Sequence, residues 1–110
     1  MGSSSSKDMS SYIQDTIGSN KVVVFSKTYC PFCTKAKRSL ANVGCTNFKS
    51  VELDQMADGS SIQSGLLSLT GQRTVPNVFI GGKSIGGGDD TAALEQSGKL
   101  KTMLQAAGAL

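Results

Sequence analysis

Apolar residues recur along this chain with two alternating periods. Ile13 and Ile17 stand one helical turn apart, behind Ser10 or Ser11 as a cap and before Gly18 as a stop. The continuous run Val22-Val23-Val24-Phe25 extends from Lys21 and predicts a strand, Lys21–Phe25, covered on both faces. Pro31–Val43 then reads as a helix. Cys33, Ala36, Leu40 and Val43 form its apolar face, while Lys35, Lys37, Arg38 and Asn42 point to solvent. Pro31 suits the first turn, and Gly44 suits the position just past the end. Phe48–Asp54 predicts a second strand with Val51 and Leu53 inward. Asp58–Thr70 predicts a helix carrying Ile62, Leu66 and Leu69, ended by Gly71. Asn77–Ile80 and Lys83–Ile85 flank Gly81-Gly82, a two-residue hairpin signal. Asp89–Gln96 and Lys99–Ala107 predict a broken C-terminal helix with Leu94, Leu100, Met103 and Leu104 inward.

The resulting order is αβαβαββα. A crossover helix makes the first two strands parallel, and the hairpin adds two antiparallel ones. An α/β fold follows: a single mixed four-stranded β-sheet flanked by helices on both faces. The length of 110 residues fits one domain, over residues 9–110. Residues 1–8 are Ser-rich and apolar-poor, and are expected to be a disordered tail. Gly2 and Ser6 formally match the myristoylation pattern, although a plain Gly/Ser leader would match it too. No aliphatic or aromatic run approaches the ~20 residues of a membrane-spanning helix, so no membrane partner is expected.

Composition narrows the chemistry. With no His, Ser-His-Asp and Cys-His catalysis are excluded, as is any imidazole-held zinc. Three Cys cannot supply a four-thiolate site, and their odd number argues against a secreted disulfide framework. A reducing, cytoplasmic setting is the expectation, where a close Cys pair reads as catalytic or metal-binding. Residues 1–55 hold seven Lys/Arg against four Asp/Glu, while residues 56–110 hold four of each. The excess lies in Lys27, Lys35, Lys37 and Arg38, all flanking Cys30. Aromatic content of 5% and the absence of Trp argue against a nucleic-acid surface, so a small anionic ligand suits this patch better.

Cys30-Pro31-Phe32-Cys33 carries the chemistry. Zinc ribbons and redox proteins share the spacing, but here the first Cys follows a buried strand and caps a helix. Free backbone N–H groups and the helix dipole favour a thiolate there, and Lys27 adds positive charge. Cys33 lies one turn on, facing the core. Helix geometry therefore makes Cys30 the exposed nucleophile and Cys33 its shielded partner. A half zinc site is the bland alternative; it lacks ligands, with only Cys45 left over. Cys45 reads as a bystander, whose thiol would be open to oxidation or dimer formation if accessible. Pro76 opens a strand, where it withholds a ladder donor, and an ordinary X-Pro turn would explain it. The turn Gly86-Gly87-Gly88-Asp89-Asp90 leads from a strand into a helix, either as a carboxylate-binding N-terminus or as a plain turn with Asp89 as N-cap.

Together, Lys27-Thr28-Tyr29-Cys30-Pro31-Phe32-Cys33, Thr74-Val75-Pro76 and Gly86-Gly87-Gly88-Asp89-Asp90 resemble a dithiol glutaredoxin of the thioredoxin fold, over about residues 10–105. The chain departs from the commonest motif in having Phe32 where Tyr is usual. The resemblance implies a cis Val75–Pro76 bond that turns the Val75 backbone toward Cys30, where a peptide-like substrate could pair as a short added strand. It implies glutathione as reducing co-substrate, held by Phe32, Val75 and Pro76. Lys27, Gln72 and Thr74 would take one carboxylate end. Gly87, Gly88, Asp89 and Asp90 would take the γ-glutamyl head group. The implied activity is reduction of protein–glutathione mixed disulfides and protein disulfides through Cys30 and Cys33, with glutathione reductase an indirect partner. A monomer without metal is the expected form. Some relatives bind a [2Fe–2S] cluster between two subunits, which makes an iron–sulfur carrier the alternative; Pro31 stands where such relatives often carry a smaller residue.

Overall fold

The computed structural model describes residues 9–110; the expected tail over residues 1–8 lies outside them. Five helices and four strands follow in the order α1 (Ser10–Ser19), β1 (Val22–Ser26), α2 (Pro31–Asn42), β2 (Lys49–Glu52), α3 (Gly59–Thr70), β3 (Asn77–Ile80), β4 (Lys83–Gly86), α4 (Gly88–Gln96) and α5 (Lys99–Ala106). The strands form one sheet in the order β2-β1-β3-β4. β1 runs parallel to β2, with Phe25 opposite Val51 and Ser26 opposite Glu52. β3 is antiparallel to β1, and β4 to β3.

Strand alternation divides the core in two. Val23 and Phe25 point to one face, where Val51, Leu53 and Phe79 meet Ile13 and Ile17 of α1 and Ile62 and Leu66 of α3. Val22 and Val24 point to the other, where Val78 and Ile80 meet Ala36 and Leu40 of α2 and Leu100 and Leu104 of α5. Every residue of β1 is buried, as a strand covered on both faces requires. Phe25 and Phe79 meet edge to face, with ring centroids 5.6 Å apart.

Several local expectations are corrected. Neither Ser10 nor Ser11 caps α1: Ser10 is its first residue, and Met9 precedes it without a side-chain cap bond. The helix runs past Gly18 to Ser19, and Asn20 Nδ2 donates back to the Thr16 carbonyl at 2.9 Å. The second strand stops at Glu52, because Leu53–Gln55 turns into a single 3-10 turn. Leu69, placed inward by periodicity, is 44% exposed beside Leu67. The Gly81-Gly82 turn is as expected: both residues have positive φ, at 60° and 82°.

Candidate active site

β1 ends at Ser26, and the next four residues carry the chain to the start of α2. The Cys30 N–H donates to the Lys27 carbonyl at 3.1 Å, closing a turn. Asp54, beyond the end of β2, fastens that turn. It accepts from the Thr28 N–H at 3.0 Å and from the Thr28 hydroxyl. These bonds hold the Asp54 carboxyl below its ordinary range. The partners are 26 residues apart, so no local pattern announces this clasp.

Cys30 is the N-cap of α2, and its Sγ accepts from the Cys33 N–H at 3.3 Å. Its thiol also donates to the Val75 carbonyl at 3.7 Å. The Val75–Pro76 peptide is cis, as the motif implied. Cys30 is half-buried, whereas Cys33 is 1% exposed. Burial, then the hydrogen bond with Cys30, pushes the Cys33 thiol up to about 11. At neutral pH, Cys33 is therefore a thiol.

Beside Cys30 runs a groove of about 410 Å³ lined by Phe32, Gln72, Thr74, Val75, Pro76, Gly87, Gly88, Asp89 and Asp90. All the residues assigned to a glutathione site converge here except Lys27, which is not among its lining residues. Three details differ from the expected roles. Gln72 Nε2 donates to the carbonyls of Thr74 and Pro76, both at 2.9 Å, so this amide braces the loop around Pro76. Asp90 Oδ2 accepts from the Gly87 N–H at 2.9 Å, making Asp90 a helix cap as well as a groove residue. Gly87, not Asp89, is the N-cap of α4. Asp89 instead binds Lys35 Nζ at 2.6 Å, across the rim.

The cationic patch is also smaller than the charge count suggested. Lys35 is paired with Asp89 and lies 6.0 Å from the Phe32 ring centroid, and Lys37 is paired with Glu52 at 2.7 Å. Among the described residues neither Lys27 nor Arg38 forms an ion pair within 4 Å, although the charge of Lys27 helps to lower the Asp54 carboxyl. Cys45 is 2% exposed in the core under α2, so the accessible thiol considered from the sequence is not there. Burial raises its titration too. Among the described residues, no three Cys, Asp or Glu side chains gather around a metal-sized position.

Fold and site define a class first: a protein of the thioredoxin fold with a redox-suited Cys pair at a helix N-terminus, facing a cis-proline. Comparison with known proteins narrows the class. A family model described as Glutaredoxin matches residues 22–85. The chain is 57% identical over 97 residues to glutaredoxin-C2 of Arabidopsis thaliana, covering 88% of this chain and 86% of that one. It is 56% identical over 97 residues to a glutaredoxin of Vernicia fordii, covering 88% and 92%. The crystal structure of the buckwheat glutaredoxin–glutathione complex matches with a TM-score of 0.89 at 48% identity, covering 94% of each chain. The chain belongs to the glutaredoxin family, whose members are thiol oxidoreductases.

Proposed function

We propose that this glutaredoxin reduces glutathione mixed disulfides, using glutathione as reductant and the groove beside Cys30 as its binding site. The observation that carries this reading is the juxtaposition of the half-buried Cys30 Sγ with Val75 at the mouth of that groove. The buckwheat relative, seen in complex with glutathione, supports it. The γ-glutamyl end lies toward the first turn of α4, whose N–H groups have no partners within the helix. The glycyl end lies toward Thr74 and Lys27.

The Cys30 thiolate attacks the glutathione sulfur of a mixed disulfide. The new Cys30–glutathione bond forms as the old one breaks, and the target protein leaves as a thiolate. A second glutathione thiolate then attacks the same glutathione sulfur, releasing glutathione disulfide and restoring Cys30. For dithiol substrates, the attack of Cys30 leaves the substrate bound through one sulfur. Cys33 gives up its proton and attacks Cys30 Sγ, forming the Cys30–Cys33 disulfide and expelling the substrate thiolate.

The test is reduction of a small glutathione mixed disulfide, coupled to glutathione reductase. Cys30→Ser should abolish turnover. Cys33→Ser should retain deglutathionylation but lose most reduction of protein disulfides. Equal loss of both activities in both variants would overturn the division of roles.

A further inference from the structure

Asn77, the residue after the cis-proline, is polar yet fully buried, and it is absent from the lining of the groove. It opens β3 and, two residues before Phe79, points to the same face of the sheet as that ring, toward α3. Its amide meets side chains from two different elements. Nδ2 donates to Thr70 Oγ1, at the end of α3, at 3.1 Å. Oδ1 accepts from Ser84 Oγ, on the edge strand β4, at 2.7 Å. Thr70 dictates which way round the amide sits. Its hydroxyl proton goes to a carbonyl, Leu66 at 2.8 Å being the nearer of two, and its oxygen already accepts from the Gln72 N–H at 3.1 Å. One lone pair is left for Asn77, so a donor must face Thr70 and the acceptor must face Ser84.

The bond to Thr70 closes the loop over residues 71–76 at its base. That loop carries one wall of the groove, and within it Gln72 Nε2 holds the Thr74 and Pro76 carbonyls. Ser84 lies on the strand that leads into the other wall, at Gly87 to Asp90. The walls pass closely: a Cβ on Gly87 would lie 3.5 Å from the Pro76 carbonyl oxygen. The ladder between β3 and β4 shifts register between Val78 and Phe79, so backbone pairing alone fixes β4 less firmly there.

We propose that Asn77 is a positioning residue for glutathione, its amide setting the separation of the two groove walls by tying Thr70 to Ser84. It acts through the loop and β4 and touches no substrate. Ser84 is exposed and outside the groove, and it bears on the bound tripeptide only through Asn77. The inference rests on the reading of the groove as a glutathione site.

The test is the equilibrium between Cys30 and glutathione disulfide in the Cys33→Ser chain. The Cys30 thiolate attacks one sulfur of glutathione disulfide; the Cys30–glutathione bond forms as the old disulfide breaks, and a glutathione thiolate leaves. With no resolving thiol the exchange stops there. Its constant, read by mass spectrometry across ratios of glutathione to its disulfide, reports how well the groove holds the attached tripeptide. A loss of global stability leaves that constant unchanged while both forms stay folded. Ser84→Ala should lower it about fivefold, the worth of one neutral hydrogen bond. Asn77→Ala should lower it at least as far, and the double variant no further than Asn77→Ala. Ser84→Thr, which keeps the hydroxyl, should restore most of the loss. Alkylation of Cys30 against pH should be the same throughout, which separates a change in the groove from a change in the thiol.

An unchanged constant in Ser84→Ala overturns the proposal. So does a further loss in the double variant, a Ser84→Thr as weak as Ser84→Ala, or a shifted alkylation profile. Ser84 sits on an edge strand at the surface, so its variants decide the matter even where Asn77→Ala fails to fold. A parent chain whose constant equals that of free cysteine in the same buffer would remove the glutathione reading of the groove, and this inference with it.

Discussion

Cys30 and Cys33 lie three residues apart, yet they meet opposite surroundings. One caps a helix at the surface, and the other is sealed beneath it. The third thiol shows that burial alone does not make a cysteine functional. Cys45 follows Gly44, whose φ of +96° ends α2, and the Cys45 N–H then donates to the Leu40 carbonyl at 2.9 Å. That turn drives its side chain into the core with Leu40 and Leu104. Cys45→Ser places an unserved hydroxyl there and should cost about 1–3 kcal/mol of stability in a denaturant titration. Turnover of a mixed disulfide should be unchanged in the same variant, and native Cys45 should resist alkylation. A large loss of activity without loss of stability would contradict the bystander role.

At the scale of elements, the groove exists because α2 and α4 approach closely. Gly88 makes this possible: a Cβ there would sit 2.7 Å from the Phe32 carbonyl oxygen, which is backbone and cannot swing away. Gly88→Ala must push α4 off α2, at about 1–3 kcal/mol of overpacking. Steady-state kinetics should show KM for glutathione rising more than kcat falls, since Cys30 is held by β1 and the Asp54 clasp instead. Strands, crossovers and the hairpin were legible in the sequence because apolar period and turn chemistry are local signals. The Cys pair was legible for the same reason, as a short motif on a strand–helix junction. What escaped was relational: Asp54 with Thr28, Lys37 with Glu52, Lys35 with Asp89, and Gln72 with the carbonyls about Pro76. Each pairing depends on how elements meet, and a polar residue on a sequence announces a capacity without its partner. Leu69 failed for a related reason, since its helix buries a narrower stripe than its composition suggests.

For the whole molecule, the titrating groups fence a pH window. Glu52 and Asp54 are held below their ordinary 4.5 and 3.8, so the stability they add is present above those values and fades as acid protonates the folded state. Cys33 is raised from 9.0 to about 11, so its contribution holds below 9.0 and is lost as pH climbs toward 11. Thermal unfolding across pH should show a plateau between these limits with a decline on each side. Glu52→Gln should flatten the acid limb and Cys33→Ser the alkaline one; the reverse assignment would refute it.

The placement of β1 has a further consequence, one of timescale. It is bonded to β2 on one side and β3 on the other, so it cannot open unless the sheet dissolves. The opposite wall of the groove begins at β4, an edge strand whose only partner in the sheet is β3. The two walls therefore belong to different fluctuations. Amide exchange should be slowest in Val22–Phe25 and faster in β4 and the first turn of α4. If the groove holds glutathione as proposed, it can loosen its grip on the tripeptide many times over while Cys30 stays anchored.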